Sequence, residues 1–288
     1  MVTAVPAGPA RRRAGIARRW RAAPVYAALS VGLVVMVGPF AWMLLSSVKP
    51  EREIRRLPPT WLPETVTWEN YAELLARLDF PTFFGNSALV AALVTTGNVV
   101  LASMVAYALA KLDFPGRRVV FALVLATLMV PGMVLFIPQF VLVANLGLVD
   151  TYAGLVLPFL VQPLAVFLLR QFIVGIPDEL LEAARIDGAS ELRIYAQIVV
   201  PLCRPALATV AILVFLGSWN NFLWPLVVAQ SEDRYTLPIA LALYATGQNQ
   251  TDFGLLLAGA TVVVTPVVVV FLLVQRHITQ GIAMTGFK

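Results

Sequence analysis

The sequence predicts an all-α integral membrane protein with six transmembrane helices, on three observations. Of its 288 residues, 59% are hydrophobic and only 13% are charged, with a mean hydropathy of +0.83; that is a membrane composition. A hydrocarbon core of ~30 Å requires roughly 20 apolar residues in helix. Six windows of about that length contain no Asp, Glu, Lys or Arg: 24–48, 87–110, 119–145, 151–169, 205–230 and 253–275. Finally, the 21 Lys and Arg residues divide unevenly between the segments joining these windows: fifteen lie on the side of the N-terminus and six on the other. Cytoplasmic segments retain positive charge, so both termini are expected in the cytoplasm.

The first window follows a basic lead, residues 1–23, with six arginines (Arg11, Arg12, Arg13, Arg18, Arg19, Arg21). Its composition predicts a disordered cytoplasmic segment. The apolar run after it is longer than the h-region of a secretory signal, which predicts an uncleaved first helix. The second and third windows are joined by an inner turn with Lys111, Arg117 and Arg118. Prolines punctuate the later windows: Pro131 and Pro138 in the third, Pro158 and Pro163 in the fourth, Pro225 in the fifth, Pro266 in the sixth. Each removes a backbone donor and bends its helix. The sequence leaves open whether these bends are plain curvature or hinges.

Composition also excludes functions. The single cysteine, Cys203, and single histidine, His277, leave no intramolecular disulfide framework and no Cys/His metal site. No G-x-S-x-G elbow and no G-x-x-x-x-G-K-[ST] phosphate loop occurs, so neither a hydrolase triad nor nucleotide hydrolysis is written in this chain. The net charge of +5 and pI near 9.7 come from short clusters beside apolar runs, which set orientation and do not form a nucleic-acid surface. No acidic, basic or histidine side chain lies within the six windows, His277 falling just past the last. This weighs against an ion-coupled secondary transporter, which keeps such groups in the membrane; that reading stands as the alternative from another class.

One inner segment is long enough to fold by itself, residues 171–204, and its pattern is helix, turn, helix. Pro177-Asp178-Glu179 reads as a helix start, with Asp178 able to cap free amides. Leu180, Leu181 and Ala184 form a narrow apolar face. Asp187-Gly188 is a turn signal, because Gly188 tolerates positive φ, and Ser190 is placed to cap a second short helix.

Within it the stretch EAARIDGASELRIYAQIVVP resembles the E-A-A loop of ABC importer permeases, whose pattern is E-A-A, three residues, G, nine residues, I, one residue, L-P. The matching positions are Glu182, Ala183, Ala184, Gly188, Ile198 and Pro201, with Asp187 before the glycine and Val200 in place of leucine. Three further stretches resemble the sugar-importing, maltose-type branch: Ser47-Val48-Lys49-Pro50 with Pro58-Pro59-Thr60-Trp61-Leu62-Pro63 and Asn70-Tyr71; Trp219-Asn220-Asn221-Phe222; and Gly281-Ile282-Ala283-Met284-Thr285-Gly286-Phe287-Lys288. The family's last glycine after the lysine is missing.

The resemblance implies a type I ABC importer permease of the bacterial inner membrane, with the loop at 171–204 holding a cytoplasmic coupling helix, residues 24–288 forming the permease domain and 277–288 a cytoplasmic tail. It implies a non-hydrolysing subunit that binds no cofactor, ATP and magnesium residing on two copies of a partner ATPase. A second permease subunit, most simply a different chain, and an extracytoplasmic sugar-binding protein complete the assembly in membrane lipid, the outer segments 49–85 and 231–251 being the expected landing sites. Motion of the loop would carry the fourth and fifth spans with it. The cargo expected is a sugar, with a polyol or a sugar phosphate such as glycerol phosphate as alternatives; an anion would call for Arg or Lys along the path, and the windows have none.

For the sugar path the candidates are Asn220, Asn221, Trp224 and Gln139. On a continuous helix Asn220 and Trp224 share a face, with Asn221 about 100° away. An amide and an indole suit a polyhydroxylated ligand, but the same groups serve equally as interhelical glue.

Overall fold

The structure, a computed structural model, describes residues 9–245 and 252–285, with side-chain surroundings described over 24–243 and 252–272. Every regular element among them is helical. The first, α1 (Pro9–Ser47), is followed by the short α2 (Glu51–Ile54) and α3 (Glu69–Arg77). Next come α4 (Phe80–Gly97) and α5 (Ser103–Lys111), joined without a break through the π-helical turn Asn98–Ala102. Then follow α6 (Arg117–Met129), α7 (Gly132–Asn145), α8 (Tyr152–Val156) and α9 (Pro163–Val174). The inner segment holds α10 (Asp178–Ile186), α11 (Glu191–Ile194), a second π-helical turn (Tyr195–Val199) and α12 (Val200–Leu202). Last are α13 (Arg204–Trp219), α14 (Leu223–Val228), α15 (Leu237–Ala245) and α16 (Phe253–Thr285).

Among the described residues, four stretches are long and apolar enough to cross a membrane unaided: Pro24–Ser47, Phe80–Lys111, Tyr152–Val174 and Phe253–Leu272. The count reaches six if each of two bent pairs makes one span. In the first pair, α6 and α7 meet at 107° across Val130-Pro131. Pro131 thus ends a helix where a kink within one was expected, because its ring excludes the preceding residue from helical backbone. In the second pair, the Glu191–Leu202 stretch meets α13 at 82°, at Cys203.

Other expectations need correction. The backbone from Pro9 to Ala23, expected as a disordered lead, is helical and continuous with α1. Pro158 falls in a 3₁₀ turn (Leu157–Phe159) and Pro163 at the first turn of α9, a position where no donor is lost. The segment that begins at Ser231 contains α15, whose Leu237, Ile239 and Ala240 are buried. Helix α16 runs on to Thr285, so the tail begins as a continuation of the last helix; Gly286, Phe287 and Lys288 lie outside the described residues.

The chain forms two compact units. One comprises the chain up to Tyr71 with Phe253–Thr261, the other Ala72–Asp252 with the chain from Val262 onward. In the first unit, the residues of the Ser47-to-Tyr71 resemblance are tied together. Asn70 is 7% exposed, and its amide donates to the carbonyls of Ser47 and Lys49, both at 2.8 Å. The Ser47 and Tyr71 hydroxyls lie 2.7 Å apart. Lys49, 1% exposed, donates from Nζ to the Thr60 carbonyl at 2.5 Å and lies 4.7 Å from the Trp42 ring centre, against which Trp61 packs edge-on. The Thr60 hydroxyl and the Glu64 amide donate to Glu53 Oε1 at 2.8 and 3.0 Å. Burial pushes the Glu53 carboxyl up, but these hydrogen bonds outweigh it and hold the carboxyl below its ordinary range. A sequence signature scattered over 25 residues is therefore one polar knot, required because backbone groups turning out of a helix need partners.

In the second unit, α5 packs on α9 and α4 on α13. The buried centre includes Val94, Ala106, Leu169, Ile173, Leu181 and Ile194, so the helical segment at 171–204 shares the core of the long apolar helices.

Candidate functional site

The inner segment takes the form its sequence predicts, with different caps. Gly188 adopts φ +79°, the left-handed conformation that glycine accepts without steric cost. It reverses the chain between α10 and α11. Leu181 is buried and Ala184 half-buried against the core, whereas Leu180 is exposed. Asp178 and Ser190 make no cap hydrogen bond. The Asp178 carboxylate instead accepts from Lys111 Nζ at 2.6 Å, and the same ammonium donates to the Ile176 carbonyl at 2.6 Å. That bond and the lysine's charge hold the Asp178 carboxyl below its ordinary range.

The E-A-A residues divide by exposure. Glu182, Ala183, Asp187 and Gly188 are exposed, while Ala184, Ile198 and Pro201 are half-buried. Beside the exposed set stand Ile186, 86% exposed, and Leu192, 64% exposed. Three chain-internal contacts made by the segment had not been expected, all to α5. Lys111 holds the start of α10. Tyr107 Oη donates to Glu191 Oε2 at 2.5 Å, and Glu191 also accepts from Arg185 Nε at 2.7 Å. The bond from Arg185 is the main reason the Glu191 carboxyl is held low, burial opposing it. The Ser103 and Tyr195 hydroxyls lie 2.6 Å apart. The Ser103 hydroxyl also reaches the Val99 carbonyl and, at 2.9 Å, the Val100 carbonyl. The available sequence signal was a polar residue every fourth position along an apolar span.

The candidate path residues also divide. Helix α13 stops at Trp219 and α14 starts at Leu223, so Asn220 and Trp224 do not share a helical face as expected. The Asn220 amide folds back to the Leu216 carbonyl at 2.9 Å, within its own helix, and the residue is exposed. Trp224 is 2% exposed; its indole donates to the Gly154 carbonyl at 3.0 Å, with Phe136 and Phe159 edge-on. Asn221 and Gln139 come together in a cleft of about 650 Å³ that also presents Gln162, Phe136, Phe159 and Trp224. None of the described side chains lining it is charged. Gln162 is held through its backbone by Asn98, a fully buried residue whose Oδ1 accepts from the Gln162 backbone N–H at 2.7 Å and whose Nδ2 donates to the Phe159 carbonyl at 2.7 Å.

Comparison with known proteins fits this geometry. Residues 98–284 match the family model described as a binding-protein-dependent transport system inner membrane component. The arabinooligosaccharides transport system permease protein AraQ of Halalkalibacterium halodurans is 42% identical over 88% of this chain and 92% of its own length. The diacetylchitobiose uptake system permease protein NgcG of Streptomyces coelicolor is 36% identical over 97% and 93%. The sn-glycerol-3-phosphate transport system permease protein UgpE of Escherichia coli is 32% identical over 92% and 97%. A chain of a bacterial ABC transporter involved in the import of the acidic polysaccharide alginate superposes with a TM-score of 0.80 at 23% identity, covering 95% of this chain and 99% of that one; at that identity the likeness establishes the fold. With the type I importer fold, the E-A-A segment and a family match reaching from the first π-helical turn to the end of α16, the chain belongs to the binding-protein-dependent transport system inner membrane components, the permease subunits of ABC importers.

Proposed function

We propose that this chain is one of two permease subunits of an ATP-driven bacterial importer of neutral oligosaccharides, seated in the inner membrane with both termini in the cytoplasm. The observation that carries the coupling role is the division of the E-A-A segment. Its packed half anchors the loop, and its exposed half, Glu182, Ala183, Asp187 and Gly188 with Ile186 and Leu192 beside them, offers a partner small residues for close approach and apolar side chains that water does not favour. The partner is an ATPase with its ATP and magnesium; this subunit transmits its motion. An extracytoplasmic binding protein delivers cargo from the other side.

For cargo, the cleft supports a neutral sugar over a sugar phosphate. Gln139, Gln162 and Asn221 offer amides that donate and accept, and Phe136 and Phe159 add ring surface beside them, a combination suited to hydroxyl groups and sugar faces. A phosphate would call for a cation, and the described lining has none. The names of AraQ and NgcG agree with this choice, that of UgpE with the alternative.

The test is purification of the tagged chain with its native partners, followed by uptake into proteoliposomes of arabinotriose, diacetylchitobiose, lactose and glycerol 3-phosphate. Recovery of an ATPase and ATP-dependent uptake of one of the three sugars is expected. Recovery of the chain without an ATPase, or ATP-independent uptake, would overturn the assignment; uptake of glycerol 3-phosphate alone would overturn the choice of cargo.

A further inference from the structure

We infer that helix α5, within the second span, transmits the movement of the coupling loop, through a stripe formed by Ser103, Tyr107 and Lys111. The inference rests on the coupling role proposed above and adds a route to it. Chain connectivity alone would pass the movement to α9 and α13, which the loop joins, whereas the side-chain bonds run elsewhere.

The three residues are spaced at i, i+4 and i+8, on one face of one helix. Each reaches a different point of the loop. Lys111 holds the entry, through the Ile176 carbonyl and Asp178. Tyr107 holds the start of α11 through Glu191, which also clamps Arg185 near the end of α10. Ser103 meets the Tyr195 hydroxyl at the head of the second π-helical turn. Both arms are thereby bonded to α5. The Tyr107 and Tyr195 rings lie 5.8 Å apart and fill the space between the polar contacts.

The stripe is built to carry load. Tyr107 is 4% exposed and Ser103 2%, and the Lys111 side chain is 5% exposed, so the α5 ends of these bonds are held in place by packing, while their carboxylate partners Asp178 and Glu191 stay 72% and 44% exposed. Two of them involve a charged partner, and such bonds are about twice as strong as neutral ones. At their other ends, Ser103 and Tyr195 meet the two widened turns. The Ser103 hydroxyl bonds the Val100 carbonyl inside the first turn, and Tyr195 opens the second. A π-helical turn spreads its hydrogen bonds over a wider ring and commonly marks a functional site in a helix. Helix α5 therefore moves with the loop, and the two widened turns are where α4 above it and α12 beyond the loop adjust.

The test uses the complete importer in proteoliposomes, with arabinotriose or whichever of the four solutes above the parent complex takes up. Tyr107→Phe keeps the ring and its packing and removes only the hydroxyl. Complexes should be recovered in parent amounts, while ATP consumed per solute molecule imported rises by roughly fivefold, the size expected for one hydrogen bond of typical net strength. Glu191→Gln should act in the same direction, and the double variant should be no worse than the worse single variant, because both changes break one link. A ratio within twofold of the parent for Tyr107→Phe, or additive losses in the double variant, would overturn the inference. Loss of the ATPase from Tyr107→Phe complexes would also overturn it, showing that the bond serves docking. Absence of an ATPase from the parent complex is a distinct result that removes the proposed function itself.

Discussion

The indole N–H of Trp224 donates to the backbone carbonyl of Gly154 at 3.0 Å, and both residues are buried. Gly154 also packs directly on Leu148, whose carbonyl a Cβ at this position would strike. The pair joins α14 to α8 and spends the indole donor on the fold. Trp224→Phe should leave that carbonyl without its donor, costing about 1–3 kcal/mol for the buried unpaired group. The check is thermal unfolding of the purified complex, with cargo preference unchanged; altered preference at unchanged stability would contradict it.

The cleft amides should behave in the opposite way. Gln139→Ala should lower uptake several-fold, roughly 1 kcal/mol per lost hydrogen bond to a sugar, with yield of the complex retained; Asn221→Ala should lower uptake too, and some stability with it, because Asn221 Oδ1 also accepts from the Trp224 backbone N–H at 3.3 Å. Asn220→Ala, which removes a bond within its own helix, separates the two roles: reduced uptake at full yield would give Asn220 a place on the path, and reduced yield a structural one.

Gly188→Pro should leave the spans inserted and abolish transport, because proline cannot reach φ +79°. Gly188→Ala should be milder, costing about 1–2 kcal/mol for a side chain in left-handed backbone. ATPase recovery with each tagged variant, beside uptake, measures the effect.

The Asp178–Lys111 pair sets a pH dependence. The Asp178 carboxyl is held below its ordinary range in the folded chain, so the pair stabilises fully above the unfolded carboxylate value of about 4 and is lost as pH falls through the lower folded value. The melting temperature of the parent should exceed that of Asp178→Asn by a constant margin between about pH 5 and 8, closing only in stronger acid. A margin that grows as pH falls would have the wrong sign.

Asn70→Leu should destabilise the first unit, since two carbonyls, of Ser47 and Lys49, lose a buried donor together, at about 1–3 kcal/mol each. Limited proteolysis between Lys49 and Tyr71 checks it: cleavage should become faster there, and unchanged cleavage would refute the knot.

The sequence by itself determined the membrane class, most of the apolar stretches and the turn at Gly188, because these follow from local causes: uninterrupted hydrophobic length, and a backbone conformation that only one residue type accepts freely. The helix–turn–helix form of the E-A-A segment was likewise legible, since its residues lie close together in the chain. Tertiary structure decided what depends on partners far along the chain. Pro131 and the Trp219-Asn220-Asn221 stretch end helices that periodicity alone would have continued, and this removed the shared face of Asn220 and Trp224. Asp178 looks like a helix cap until Lys111, 67 residues away, is seen to claim it. The stripe of Ser103, Tyr107 and Lys111 reads as three isolated polar residues in an apolar span. Composition and periodicity register the cost of burying such groups, and only the folded chain supplies the hydrogen-bond partners that offset it.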